Sequence, residues 1–256
     1  MANLPTEFGV RIPDIFVRGF NGWRKNIIPL SLAGIVVVAV AALFAFFQQE
    51  LNDAGRPWSA FAVLSAGWIV AGTVAYPWYF YALRAARGEP IELAAPFAKP
   101  LRFAHQAVSS FFFWAGIMLG VRYPVFGVPI LSMLVLVSYA FHGFVIADVD
   151  PKREGTRGAT YALGTSVRLG DKRRFGIFAI ACLLGIFNFF GLSFGIVLEN
   201  TIEGYLAAIA GLAITGSITM VGGAYLYDEL VAKMPKGKAP AIIRTKGKRK
   251  QGRKRG

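Results

Sequence analysis

Residues 148–174 read DVDPKREGTRGATYALGTSVRLGDKRR. Apolar runs long enough to cross a bilayer stand on either side: Val125–Ala147 before it and Phe175–Leu198 after it. The stretch itself carries seven Lys or Arg. Basic connections stay on the cytoplasmic side of a membrane, so this one is assigned there, and the spans around it take their direction from it.

Working outward, the same pattern recurs. A bilayer core of ~30 Å needs ~20 consecutive apolar residues. Six runs meet that requirement: Ile27–Phe47, Ser59–Leu83, Ala104–Val121, Val125–Ala147, Phe175–Leu198 and Gly204–Tyr227. The runs are continuous rather than alternating, which excludes a β-barrel, and each span must satisfy its own backbone hydrogen bonds, which requires helices. The fold class is therefore all-α and polytopic. Residues 1–26 form an N-terminal cytoplasmic segment, 27–227 the six-helix domain and 228–256 a basic cytoplasmic tail.

Charge gives the orientation. Of the 28 Lys and Arg, 26 fall in the N-terminal segment, the two even-numbered inner connections and the tail; only Arg56 and Arg122 fall on the other side. Both termini are expected in the cytoplasm. The outer connections are short, about Gln48–Trp58, Arg122–Pro124 and Glu199–Glu203, and hold no outer domain. With 55% hydrophobic and 16% charged residues among 256 and a mean hydropathy of +0.51, the composition departs from the ~25% charged content of soluble domains. The first apolar run is too long, and lacks a cleavage site, for a signal peptide. Cys182 is the single cysteine, which excludes an intrachain disulfide or a Cys-based zinc site.

Each of the first three cytoplasmic segments has a moderately apolar stretch, a basic turn and then a span: IPDIFVRGFNGWRKN before Ile27, IELAAPFAKPLRF before Ala104 and ATYALGTSVRLGDKRR before Phe175. In the first, Ile12, Ile15, Phe16 and Phe20 recur at helical spacing beside Arg11 and Arg18, the pattern of a helix lying in the membrane interface. Pro96 and Pro100 limit the second to short helical pieces. The chain reads either as three copies of one hairpin unit or as six spans without a repeat. Pro77 and Pro129 are expected to kink spans two and four.

Asp148 and Asp150, followed by Ala162, Leu163, Ser166 and Leu169, make an acidic span end and an AL-x-x-S-x-x-L helix. This resembles the cytoplasmic segment of a broad family of uncharacterised six-helix bacterial membrane proteins, similar in turn to the membrane domain attached to some glycerophosphodiester phosphodiesterases. Ala224-Tyr225-Leu226-Tyr227-Asp228-Glu229-Leu230 is similar to that family's close of the last span, and Leu83–Arg87 to its short basic exit from span two. The resemblance covers about residues 10–230 and implies the fold, the orientation and a bacterial plasma membrane; it implies no activity. The long basic tail and the lack of a catalytic domain depart from it.

Several residues are candidates for a site. His105 and His142 lie at similar depth on spans three and four, with Asp148 and Asp150 nearer water. Together they could bind a divalent metal or relay a proton; alternatively each imidazole is satisfied by backbone or Ser. Small residues mark the last two spans. Gly191 and Gly195 form a GxxxG, and Gly204, Ala208, Gly211, Thr215, Thr219 and Gly222 share a face of span six. Such residues let helix backbones approach, either within the chain, in a homo-oligomer or along a substrate path. Asn188 is polar in mid-span, with Thr73, Ser109, Ser110, Ser132, Ser138, Thr215, Ser217 and Thr219 scattered through other spans. No Asp, Glu, Lys or Arg lies at the centre of a span, which weighs against ion-coupled transport. Aromatic residues, Trp58, Trp68, Trp78, Tyr76, Tyr79 and Tyr81, enrich span two as an interfacial belt with Trp68 deeper.

The tail ends KGKRKQGRKR, in which Lys246, Lys248, Arg249, Lys250, Arg253, Lys254 and Arg255 carry the charge. It is expected to be disordered when free. Its options are the anionic leaflet, phosphates of RNA or a ribosome, or solvent alone; without aromatic interleaving it is not a sequence reader. No Walker loop, HExxH, G-x-S-x-G or dinucleotide fingerprint is present, so neither an enzyme nor a cofactor is expected. The functions that fit are a membrane scaffold, assembly or envelope-homeostasis factor working through the basic inner face; a small permease or export component; or a ribosome-docking insertion factor. A scaffold predicts a closed bundle, a permease a cavity lined by Thr73, Asn188 and Thr215.

Overall fold

The computed structural model describes residues 10–148, 158–197 and 201–234. Asp150, most of the basic loop after Asp148 and the tail's Lys246–Arg255 lie outside them. Ten helices, and no strand, occur among the described residues: α1 (Ile12–Lys25), α2 (Ile27–Asp53), α3 (Pro57–Val74), α4 (Tyr76–Arg87), α5 (Pro100–Arg122), α6 (Ile130–Tyr139), α7 (His142–Asp148), α8 (Ala159–Gly170), α9 (Arg174–Val197) and α10 (Ile202–Ala232). They supply six stretches long and apolar enough to cross a membrane, with α6 and α7 counted as one. The protein is all-α and multi-pass.

Neighbouring contacts run from α2 to α3, α5, α6, α9 and α10, and return from α10 to α2. The spans thus close into a ring. At the end where α1 and α8 lie, α4 and α7 fill the ring and pack against each other, and α10 packs on α4. The largest cluster of buried apolar side chains sits there, with Tyr76, Phe80, Tyr81, Phe144, Val145, Val221 and Tyr227 at its centre.

Two spans are broken, each for a local reason. Span two ends its first helix at Val74, because Pro77 has no N–H to continue the ladder to Thr73; the chain restarts at Tyr76. Pro129 does not kink span four. It stands at the N-cap of α6, after a turn in which Val125 and Val128 exchange backbone hydrogen bonds of 3.0 Å and Gly127 takes a φ of +78°. The break in span four falls instead at Ala140–Phe141, and no residue there announces it. The structure explains it from outside the helix: the Phe141 N–H donates to Ser166 Oγ of α8 at 3.0 Å. A side-chain acceptor on a neighbouring helix replaces the lost intrahelical carbonyl.

The three segments expected on the cytoplasmic side differ in structure. α1 is amphipathic, and Ile15 and Gly19 face the protein while Val17 and Phe20 stay exposed. It packs closely on α10: a Cβ on Gly19 would collide with the Ile218 carbonyl, and one on Gly222 would come within 2.9 Å of Ile15. Phe16 meets Phe187 of α9 edge-on at 5.4 Å. Residues 88–99 form turns rather than a helix, as Pro96 and Pro100 foretell. α8 is helical, and Ala162, Leu163, Ser166 and Leu169 all point inward.

The small-residue stripe is used inside the chain. Gly191 sits against Gly211 and Thr215, and Gly195 against Gly204 and Ala208, so α9 and α10 approach backbone to backbone. Farther along α10 Thr219 still meets α9, at Asn188, whereas Gly222 turns to α1. Gly211→Val therefore places a branched side chain against the α9 backbone and should destabilise the protein by about 1–3 kcal/mol, read as a lower midpoint of thermal unfolding in detergent. Gly185→Ala, with nothing within 4 Å of the added carbon, should leave that midpoint in place.

Candidate functional site: a charge clamp and an intramembrane cavity

Two features stand out. The first is a buried ion cluster where α4, α7 and α10 end together. Arg87 Nη1 donates to Asp148 Oδ1 at 2.6 Å, Arg87 Nη2 to Asp228 Oδ1 at 2.6 Å and Arg87 Nε to Asp228 Oδ2 at 3.0 Å. The Tyr227 hydroxyl donates to Asp148 Oδ2 at 3.1 Å. Asp148 is only 2% exposed. Burial works against the Arg87 charge, but the hydrogen bonds from Asp228 and Asp148 and their fields outweigh it, and its pKa is raised further above the usual range. The planar guanidinium is suited to this, since it presents a fork of donors to one carboxylate and a further N–H to the other.

Local sequence delivers these groups to one point. Gly88 takes a φ of +68° and closes α4, with the Glu89 N–H on the Arg84 carbonyl at 2.9 Å. That stop leaves Arg87 on the last turn, aimed across the bundle. Nearby, Arg102 of α5 is 3% exposed and donates to the Ile146 carbonyl at 2.8 Å, so α7 is held from a second side. The three short motifs that carried the resemblance, the basic exit ending at Arg87, the acid at Asp148 and the Tyr227-Asp228 close, meet in a single cluster.

The second feature is a cavity of about 940 Å³ inside the ring. α2 gives it a smooth aliphatic wall of Val37, Val38, Ala41, Ala42 and Ala45. Opposite stand Trp68 of α3 and Trp114 of α5, stacked at 4.6 Å between centroids. Trp78 and Tyr79 of α4 line it toward the end that carries the Arg87 cluster, and α9 and α10 contribute Asn188, Leu192, Tyr205, Ile209, Leu212 and Met220. Among the described residues no charged side chain lines it. Ligand sites are of this size and kind, largely apolar with few polar groups.

Its walls are held by hydrogen bonds. Trp78 Nε1 donates to Ser217 Oγ at 3.1 Å, and that hydroxyl lies 2.6 Å from the Ala213 carbonyl and 3.0 Å from the Leu30 carbonyl of α2. Gln106, fully buried behind the wall, donates to the Gly72 carbonyl at 3.0 Å and to Ser110 Oγ at 3.1 Å. Of the three polar residues expected to line a permease path, only Asn188 does. Thr73 returns its hydroxyl to the Ile69 carbonyl and Thr215 to the Gly211 carbonyl, each within its own helix.

The histidines have separate surroundings. His142 is 2% exposed, with Nδ1 2.7 Å from the Tyr139 carbonyl at the break in span four and its ring against Phe113 and Tyr79. His105 faces Gly158 at the start of α8. Among the described residues no group of three or more His, Cys, Asp or Glu is placed to hold a metal. Arg87, Asp228 and Tyr227 are not among the site residues the sequence singles out; the signal is their position, since each stands at or near the end of a helix on the same side of the bundle as Asp148. Trp114 is not among them either, since one Trp in an apolar helix carries no mark of what it faces.

Comparison with protein-family models, with curated proteins and with solved structures finds no match to this chain.

Removing Arg87 strands a buried carboxylate. Arg87→Leu is expected to cost about 3–5 kcal/mol, seen as a lower unfolding midpoint in detergent. Adding Asp148→Asn to Arg87→Leu should recover part of the loss, because the least exposed charge of the cluster is then gone.

Proposed function

We propose that this chain is a non-enzymatic protein of the bacterial plasma membrane that holds an apolar, bilayer-resident molecule in its interior, the work of a small permease or export component. The reading rests on one observation, the cavity of about 940 Å³ between the stacked indoles of Trp68 and Trp114 and the aliphatic wall of α2. A bundle built only to display a surface has no use for such a space. Dispersion is lost wherever a cavity has no partner atoms, so an occupant from the surrounding hydrocarbon is favoured there. The described lining carries no charged side chain, which weighs against an ion as cargo, because an isolated charge in that setting goes uncompensated.

In this reading both termini are cytoplasmic, on the strength of the Lys and Arg distribution, and the Arg87 cluster sits at the inner end of the bundle. The resemblance of Asp148–Leu169 and Ala224–Leu230 to six-helix bacterial membrane proteins goes with the same placement. A second reading keeps the protein as a scaffold or assembly factor acting through its basic inner face. It is favoured by the concentration of 26 of 28 basic residues on that face, with the tail on the anionic leaflet or on ribosomal RNA.

The cavity reading predicts that protein purified in mild detergent carries bound neutral lipid, identified by extraction and mass spectrometry. Ala41→Phe with Ala45→Phe fills the wall and should remove most of it while the thermal profile is kept. An unchanged lipid complement in that variant would leave the scaffold as the function. Orientation is tested separately. In a Cys182→Ser background, a cysteine at Arg56 or Arg122 should react with a membrane-impermeant maleimide on intact cells and one at Glu89 should not; the reverse pattern overturns the topology.

A further inference from the structure

Asn188 is the one carboxamide on the cavity lining among the described residues, and it stands near the middle of α9. One end of its amide meets Thr219 Oγ1 of α10 at 3.3 Å, while Thr219 also lies 2.9 Å from the Gly216 carbonyl. A carboxamide has a donor end and an acceptor end. With Thr219 occupied on one side, the other end has no protein partner among the described residues. A polar group left without a partner in an apolar setting is costly.

We infer that the cavity takes an uncharged lipid alcohol, whose hydroxyl bonds to the Asn188 carboxamide while its apolar chain lies between Trp68, Trp114 and the α2 wall. This rests on the proposed function and narrows it to a chemical class. A hydroxyl both donates and accepts, so it satisfies whichever end of the amide Thr219 leaves open. A carboxylate or phosphate would bring a charge that nothing on the lining balances. A plain hydrocarbon fills the space but leaves the amide unpaired. Asn188 is thus the residue that separates an alcohol from an alkane of the same length. A site built to hydrogen-bond a group discriminates by the partner left unsatisfied when the group is missing.

Three of the five Trp line the cavity, which gives the reporter. The full chain with Trp23→Phe and Trp58→Phe is purified in detergent and titrated with 9,10-dibromooctadecan-1-ol and with 9,10-dibromooctadecane, whose bromines quench indole fluorescence on contact. Both probes should quench saturably, the alcohol with an apparent affinity roughly 3- to 10-fold higher. Asn188→Leu should erase the alcohol's advantage, lowering its affinity while the alkane, no longer facing an unpaired amide, binds as well or better. Equal affinity of the two probes for the unmodified cavity overturns the alcohol assignment while the cavity stands, and this comparison needs no variant to fold. Failure of both probes to quench saturably overturns the cavity as a binding site, and the proposed function with it.

Discussion

Arg87 ends α4, and its guanidinium holds Asp148 at the end of α7 and Asp228 near the end of α10 at the same time. The three helices come from three different hairpins of the chain, 61 and 141 residues from Arg87. The Tyr227 hydroxyl adds a second tie between α10 and α7 at Asp148. Apolar packing within a bilayer is weakly directional, because lipid tails are as apolar as the side chains they compete with. A buried ion cluster with fixed geometry therefore does what apolar surface cannot: it sets which helix ends meet. Around it that end of the bundle is filled, with Phe144 stacked on Tyr227 at 5.8 Å and Phe141 tilted against it at 6.2 Å.

The filled end and the hollow interior depend on each other. Because spans two and four break, at Ala75 and at Ala140–Phe141, their second halves leave the line of the first and enter the ring as α4 and α7. The breaks are tolerated because freed backbone groups find other partners, Ser166 for the Phe141 N–H being the clearest. Beyond that plug the ring still closes, but no helix occupies its middle. The cavity is the space that remains, and Trp78 and Tyr79 belong to both the plug and the lining.

Close helix approach gives the bundle its second constraint. α10 touches α9, α1, α2 and α4. One helix can serve so many neighbours only if its side chains are small where backbones meet, and Gly211, Gly216 and Gly222 stand at contacts with α9, Trp78 and α1 in turn. The same economy of side chain that lets α9 and α10 pack tightly near Gly191 and Gly195 leaves Gly195 and Gly204 on the cavity wall without bulk to fill it.

Six apolar stretches, helical state and the amphipathic start at Ile12 were legible in the residues alone, because length and periodicity in a bilayer admit few other solutions. Pro77 announced the break it causes, since a missing N–H is a local fact. The break at Phe141 was not legible, because its cause is a hydroxyl on α8 that is 25 residues away in the chain. Likewise Arg87 and Asp228 each read as an ordinary charge at a span end, and Asp148 as a companion of the histidines rather than of Arg87. Thr73, Thr215 and Asn188 were equal candidates for a lining, and only the rotation of each helix separated the last from the others. Composition and spacing determine how many helices there are and what solvent they live in. Which side chains face one another is decided by the packing of backbones through small residues and by one guanidinium, and that exists only once the helices have assembled.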